Sequence, residues 1–213
     1  MSDEAVRGEP PALFGGRARE SRRTRGVRMS RARLTHIASA NVRGTRIRTA
    51  GLTEARIRGS VFRVLEENLL CSIASVTDSV RAHINTAYFC YSGQLELYFL
   101  SHPRSLHCRN LATNSSIGMT IFSSSQQLAN PGRGLQLFGT CRQASGARAR
   151  RAEQLYGKRF PAYASWKATL KTRDAGREYR FYQFVVRRFK ILDESALGEA
   201  VFVHGIVNRR IAT

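Results

Sequence analysis

Lysine is almost missing from this chain. Of its 35 Lys and Arg residues only Lys158, Lys167, Lys171 and Lys190 are lysines, and acidic residues number just 15 in 213. The resulting formal charge of +20 favours polyanions on long-range grounds. No finger or helix-turn-helix pattern accompanies it, which argues against sequence-specific nucleic-acid recognition. So strong an arginine bias reads equally as the mark of a GC-rich coding sequence. Cysteine is sparse and scattered: Cys71, Cys90, Cys108 and Cys141 form no C-x-x-C pair. That spacing argues against a zinc framework, and the four read as buried thiols. No apolar run reaches membrane-spanning length and no signal peptide is visible, so a reducing cytoplasm is the expected home. No catalytic triad or carboxylate pair stands out, and no catalytic residue is named.

What is abundant is arginine near the start. Residues 1–50 hold Arg at positions 7, 17, 19, 22, 23, 25, 28, 31, 33, 43, 46 and 48, with few and unpatterned apolar residues. Such a segment buries too little surface to offset its ordering entropy. It reads as a disordered tail, of which nothing more than non-specific contact with nucleic acid is expected. Met29 is a second candidate start. The folded domain is expected over 51–213, as one unit of ordinary size.

Within that domain the pattern is mostly strand. Thr53 is placed to cap a helix whose Ile57, Val61, Val64 and Leu65 share one face, ending near Asn68. Strands are expected at Leu70–Thr77 and Ala82–Tyr91, with a tight Ser92-Gly93 turn into the next strand. Gly134–Ala144 is a further strand, with Gly139 marking a bulge or close approach. Ala147–Tyr156 reads as a helix stopped by Gly157, and Ser165–Leu170 as a short helical piece. Glu178–Leu192 is the longest strand, apolar on both faces. The end of the chain, Glu194–Thr213, is expected to be irregular apart from one extended run at Ala200–His204. Five or six hairpin-linked strands with few helices point to an antiparallel barrel.

The most informative stretch is Gln94–Phe122. Gln94–Ser101 alternates Leu95, Leu97 and Phe99 on one face. Pro103 is suited to open a short helix carrying Ser105, His107 and Arg109. Ser116–Phe122 then alternates Ile117, Met119 and Ile121. A strand that runs into a helix N-terminus, with Ser101, Arg104, Ser105 and His107 around the junction, collects hydroxyls, free N–H groups and positive charge. Those are the requirements for holding a phosphate.

These residues also carry a resemblance. A strand ending LYFLS, a short helix closed by Asn114 and a following strand, then GRGLQLFG at Gly132–Gly139 and YGKRFP at Tyr156–Pro161, are similar to the pyridoxamine 5'-phosphate oxidase-like, FMN-binding split-barrel family over roughly residues 60–190. The resemblance is to its uncharacterised branch rather than to the true oxidase. It implies a mainly β fold with a few helices, a six-stranded antiparallel split β-barrel. It implies a homodimer with FMN at the subunit interface and oxidoreductase activity on a small-molecule substrate.

Carried over by motif, Asn85, Thr86 and Ala87 would run beside the flavin ring. Leu100 and Ser101 would lie near the ribityl chain and phosphate. Ser105, Leu106 and His107 would close on the phosphate, and Arg133 and Gly134 would come from the other subunit. The sequence departs from the family where charge matters. Leu106-His107 stands in place of an Arg-Lys pair, and His83 and Tyr88 stand where Arg and Lys open and end the ring-side strand. A non-catalytic protein on the same fold, holding haem, a deazaflavin or no cofactor, is the alternative.

Overall fold

The computed structural model describes residues 33–40, 46–47, 51–171 and 179–209. In chain order the elements are β1 (Arg33–Ala40), β2 (Arg46–Ile47), α1 (Glu54–Glu67), β3 (Leu70–Val76), β4 (Ala82–Tyr91), β5 (Glu96–Ser101) and α2 (Leu106–Thr113). They continue with β6 (Ser116–Ile121), β7 (Arg133–Gln143), α3 (Gly146–Arg159), α4 (Tyr163–Lys171), β8 (Arg180–Asp193), α5 (Glu194–Leu197) and β9 (Phe202–Asn208). The strands pair in one sheet, in the order β2-β1-β9-β8-β5-β4-β3-β6-β7, and β8 also pairs with β7. That last pairing closes β8-β5-β4-β3-β6-β7 into a six-stranded antiparallel split barrel, the fold class expected.

The barrel closes because β8 is long enough to serve three neighbours. Its first half pairs with β5, from Ser101–Arg180 to Glu96–Val185. Its second half pairs with β9, from Arg188–Ile206 to Leu192–Phe202. Its other edge meets β7 along nearly its whole length. Tyr182, Phe184, Val186, Phe189 and Ile191 line the barrel interior, packing with Leu97, Phe99, Ile73, Met119 and Leu137. The opposite face of β8 and β5 is also covered. Phe181, Tyr98 and Cys90 pack under Ala152 and Tyr156 of α3 and under Tyr163. Both faces of β8 therefore read apolar in the sequence for a physical reason: two separate layers bury them.

Several local expectations need correction. The boundary at residue 50 falls inside structure, because β1 pairs with β9 from Arg33–Asn208 to Ala40–Phe202. The domain reaches back at least to Arg33, and residues 1–32 lie outside those described. The C-terminal stretch is likewise regular: β9 alternates buried Val203, Gly205 and Val207 with half-buried neighbours. Pro103 does not open α2. The chain turns over His102–Ser105, with Ser105 N–H donating to the His102 carbonyl at 3.0 Å, and the helix begins after Ser105.

The β4–β5 connection is longer than two residues, with the Ser92 N–H bonding the Glu96 carbonyl at 2.9 Å and Leu95 held at φ +54°. Gly157 does not stop α3, which runs on to Arg159. Tyr156 is held in the aromatic layer and Arg159 reaches across to α1, so tertiary contacts outweigh a glycine's roughly 1 kcal/mol helix penalty. All four cysteines are free and buried. Among the described residues no helix is long and apolar enough to cross a membrane.

Candidate functional site

The proposed phosphate corner is a real junction. β5 ends at Ser101, beside Arg180 at the start of β8, and α2 begins five residues later with Ser105 as its N-cap. Ser105 has extended backbone but its hydroxyl makes no capping bond to the helix. It lies 3.1 Å from His107 Nε2 and 3.3 Å from Ser101 Oγ. Ser101 Oγ in turn sits 2.7 Å from His107 Nε2. Two hydroxyls and one imidazole thus form a closed triangle at the mouth of α2, where the first-turn amides have no acceptor within the helix.

His107 is packed from two sides. Its ring stacks on His83 of β4, centroids 6.3 Å apart and 7° from parallel. Phe99 lies 6.2 Å away on the barrel side. Burial first, and the facing His83 second, pull the His107 pKa down to about 4. At neutral pH this histidine is uncharged. The positive charge that the sequence seemed to place here is therefore not carried by His107. What the corner offers is hydroxyls, amide N–H groups and a neutral imidazole, with Arg104 and Arg109 exposed nearby.

Strand periodicity sorts the remaining residues. Side chains alternate along β4, so His83, Asn85 and Ala87 share the face that carries the buried Phe89. Thr86 points to the other face and is exposed. The Asn85 Oδ1 is buried and has no hydrogen-bond partner, which leaves one unsatisfied acceptor on the His83 side of the strand. Leu100 faces away from Ser101 and packs against the aromatic layer under α3. Leu106 is 41% exposed at the first turn of α2. Asn85, Ala87, Ser101, Ser105 and His107 belong to one side of the fold, while Thr86 and Leu100 direct their side chains elsewhere.

Arg133 and Gly134 are not part of this corner within one chain. Arg133 pairs in register with Asp193, whereas Gln143, at the far end of β7, pairs with Tyr182 near Ser101. Ten residues of strand separate the two ends, roughly 30 Å. The Arg133 guanidinium is already engaged, 2.5 Å from Glu67 and 3.5 Å from the fully buried Asp193. Asp193 is approached at 3.7 Å by Arg63 as well.

In the sequence His83 opens the ring-side strand in place of an arginine and is one of the conceivable haem ligands; the fold makes it the stacking partner of His107. Its signal was present in parity, since His83 and Asn85 are two residues apart on one strand face. Among the described residues no group of three or more His, Cys, Asp or Glu is arranged to hold a metal ion.

No protein-family model matches this sequence, and no curated protein matches it. Solved structures do. A protein of unknown function from Agrobacterium tumefaciens aligns with a TM-score of 0.53 at 19% identity, over 71% of this chain and 63% of its own. A heme binding protein from Mycobacterium smegmatis aligns with a TM-score of 0.51 at 13% identity, over 68% of this chain and 55% of that one. This chain thus spans less than two thirds of the length of either. A putative pyridoxamine 5'-phosphate oxidase from Listeria innocua aligns with a TM-score of 0.48 at 15% identity, over 64% of this chain and 98% of its own. At these identities the first two establish the split-barrel fold.

Proposed function

We propose that this chain belongs to the pyridoxamine 5'-phosphate oxidase-like family and is an FMN-dependent oxidoreductase acting on a small molecule. The observation that carries the reading is the Ser101–Ser105–His107 triangle at the open N-terminus of α2. It lies where a strand end meets a helix start, the place a phosphate is best received. The orphaned Asn85 Oδ1 supports it, as a buried acceptor that a flavin ring N–H would satisfy.

The residues fit the group through hydroxyls and amides rather than fixed cations. Ser101, Ser105 and the first-turn N–H groups of α2 would hold the phosphate. Asn85 and the β4 backbone would orient the ring. When bound, the flavin supplies the redox chemistry, which is why the site needs no catalytic side chain of its own. His107 is neutral and 2.7 Å from Ser101 Oγ, so it fixes the hydroxyl positions and contributes little charge at neutral pH.

A homodimer belongs to the same proposal. The outward face of β3, β4, β6 and β7 leaves Leu70, Ile84, Phe122 and Phe138 between 40% and 68% exposed. A second copy would cover that face and bring its own Arg133 and Gly134 toward the corner, provided Arg133 loosens its ties to Glu67 and Asp193.

A second reading is haem binding, favoured by the stacked pair His83 and His107. A neutral imidazole is the form that ligates a metal, and the similar Mycobacterium smegmatis structure is described as a heme binding protein. One spectrum separates the readings. Purified protein mixed with FMN and desalted should keep flavin absorption bands. A Soret band retained after mixing with haem, with no flavin retained, favours the second reading. Protein that keeps neither overturns both.

A further inference from the structure

The strongest unassigned feature lies away from the candidate site, on the outward face of β7, β8 and β9. The register between β7 and β8 shifts between Phe138 and Gly139, so that Phe138 faces Arg188, Gly139 faces Val186, and Arg187 is the extra residue. The shift reverses the inside–outside parity of β8. Before it, Phe184 and Val186 are buried; after it, Phe189 and Ile191 are. Two consecutive arginines, Arg187 and Arg188, are thereby both exposed, which a regular strand does not allow. Gly139 permits this close approach: a Cβ there would lie 2.1 Å from the Val185 carbonyl oxygen.

Other cations extend the row. Arg142 is exposed on β7 opposite Gln183. Lys190 follows two residues after Arg188, about 7 Å along the strand, and its Nζ stands 4.3 Å over the Phe202 ring of β9. From the level of Gln183 to that of Lys190 the row runs roughly 20 Å. Arg209, just past the end of β9, joins one end: Glu96 and Arg187 both act on its guanidinium.

Neutralising charge is scarce. Across β7, β8 and β9 the one carboxylate is Asp193, which is fully buried at the far end. Glu96 already accepts hydrogen bonds from Ser92, Tyr98 and Gln183, at 3.0, 3.1 and 3.1 Å. Among the described residues none of Arg142, Arg187 and Arg188 has an acidic partner.

We propose that this face binds single-stranded nucleic acid, its phosphates lying along Arg142, Arg187, Arg188 and Lys190. The argument is one of charge and shape. Guanidinium forks match phosphate oxygens in pairs. An exposed cation row running along the strands follows an extended backbone. The whole-chain charge of +20 steers a polyanion toward it. The face is distinct from the corner at Ser101, so the inference does not depend on flavin binding; it adjoins the apolar face of β3, β4, β6 and β7 along β7, where Phe138 pairs with Arg188.

The test is fluorescence anisotropy of a fluorescein-labelled oligothymidylate with the full chain across a range of salt. The Arg187→Gln, Arg188→Gln, Lys190→Gln triple variant should bind at least tenfold more weakly. Its plot of log affinity against log salt should be shallower by about 2, since each single-strand phosphate contact contributes about 0.7. The Arg187→Lys, Arg188→Lys variant should restore the salt slope, which a merely misfolded face would not. A charge-matched control, Arg17→Gln, Arg19→Gln, Arg22→Gln, should lose less. The proposal is overturned if the wild-type chain does not bind the oligonucleotide, or if the control loses as much as the triple variant. It is also overturned if polyglutamate of equal charge competes as well as the oligonucleotide does.

Discussion

Ser101 Oγ and His107 Nε2 lie 2.7 Å apart, across the turn that joins β5 to α2. The contact explains why the Ser105 hydroxyl leaves its helix uncapped: it belongs to the same polar triangle. The imidazole in that triangle is kept neutral by its burial first and by the facing His83 second, which sets the chemistry of the corner.

That neutrality makes stability depend on pH. In an unfolded chain the imidazole titrates near 6.5, and in the folded chain burial and His83 lower it to about 4. Between those values the unfolded state binds more protons, so stability rises with pH. The contribution is complete above about 6.5 and is lost as pH falls toward 4, with a limit on the order of 3 kcal/mol. Urea unfolding at about pH 7 and pH 5 should show wild-type stability falling more than that of His107→Gln. Equal losses in the two proteins would mean that another group governs the acid limb.

Restoring a cation should strengthen the phosphate site. Leu106 is 41% exposed at the first turn of α2, so Leu106→Arg costs little packing and adds a fork beside the first-turn amides. A charge-assisted hydrogen bond contributes about 1.5–3 kcal/mol, which is tenfold or more in affinity. Titration of FMN, followed by quenching of its fluorescence, should register that gain. Affinity that stays flat would place the phosphate away from α2.

Much of the fold is legible in the chain, and the places where it is not share a cause. β4 falls at Ala82–Tyr91 as the alternation implies, and α1 follows Thr53, whose Oγ1 accepts from Arg56 N–H at 3.2 Å. These depend on local pattern and capping. β1 and β9 are different. Leu34, Val203 and Val207 become buried only because residues about 170 positions apart pair, and no local window contains that information. The corner divides the same way. Period-two alternation puts His83 with Asn85, but the stack of His83 on His107 needs the tertiary fold, and with it goes the charge of His107. The ties of Arg133 are hidden for the same reason, because its partners, Glu67 and Asp193, are distant along the chain.

Arg159 should be a major stabilising residue outside the barrel. Its Nη2 donates to the carbonyls of Leu65 and Asn68, each at 2.7 Å, which satisfies the open C-terminus of α1. Its guanidinium also lies 5.2 Å from the Phe89 ring centroid and 5.0 Å from that of Tyr91. Removing it strands two part-buried carbonyls and two ring faces together. Arg159→Ala should lose about 2–4 kcal/mol, and Arg159→Lys should recover only part, since an ammonium cannot reproduce the fork. Thermal and urea unfolding check the order: wild type, then Lys, then Ala.

The bulge in β8 makes the sharpest demand on a single residue. At Gly139 an added Cβ would sit 2.1 Å from the Val185 carbonyl oxygen and 3.1 Å from the Arg187 backbone nitrogen. Both are main-chain atoms in the longest strand, so no rotamer change relieves the overlap. Gly139→Ala must push β7 away from β8, which breaks the pairing that closes the barrel, or remove the bulge and turn Arg187 inward. Either route should cost more than about 3 kcal/mol, the upper range for overpacking. Gly118 on β6 is the control, because its added Cβ meets only the Phe138 ring at 3.8 Å, and Gly118→Ala should stay within about 1 kcal/mol of wild type. If the two variants unfold at the same urea concentration, the strands at Gly139 do not approach as closely as described. The exposure of the arginine pair at Arg187 and Arg188 would then need another explanation.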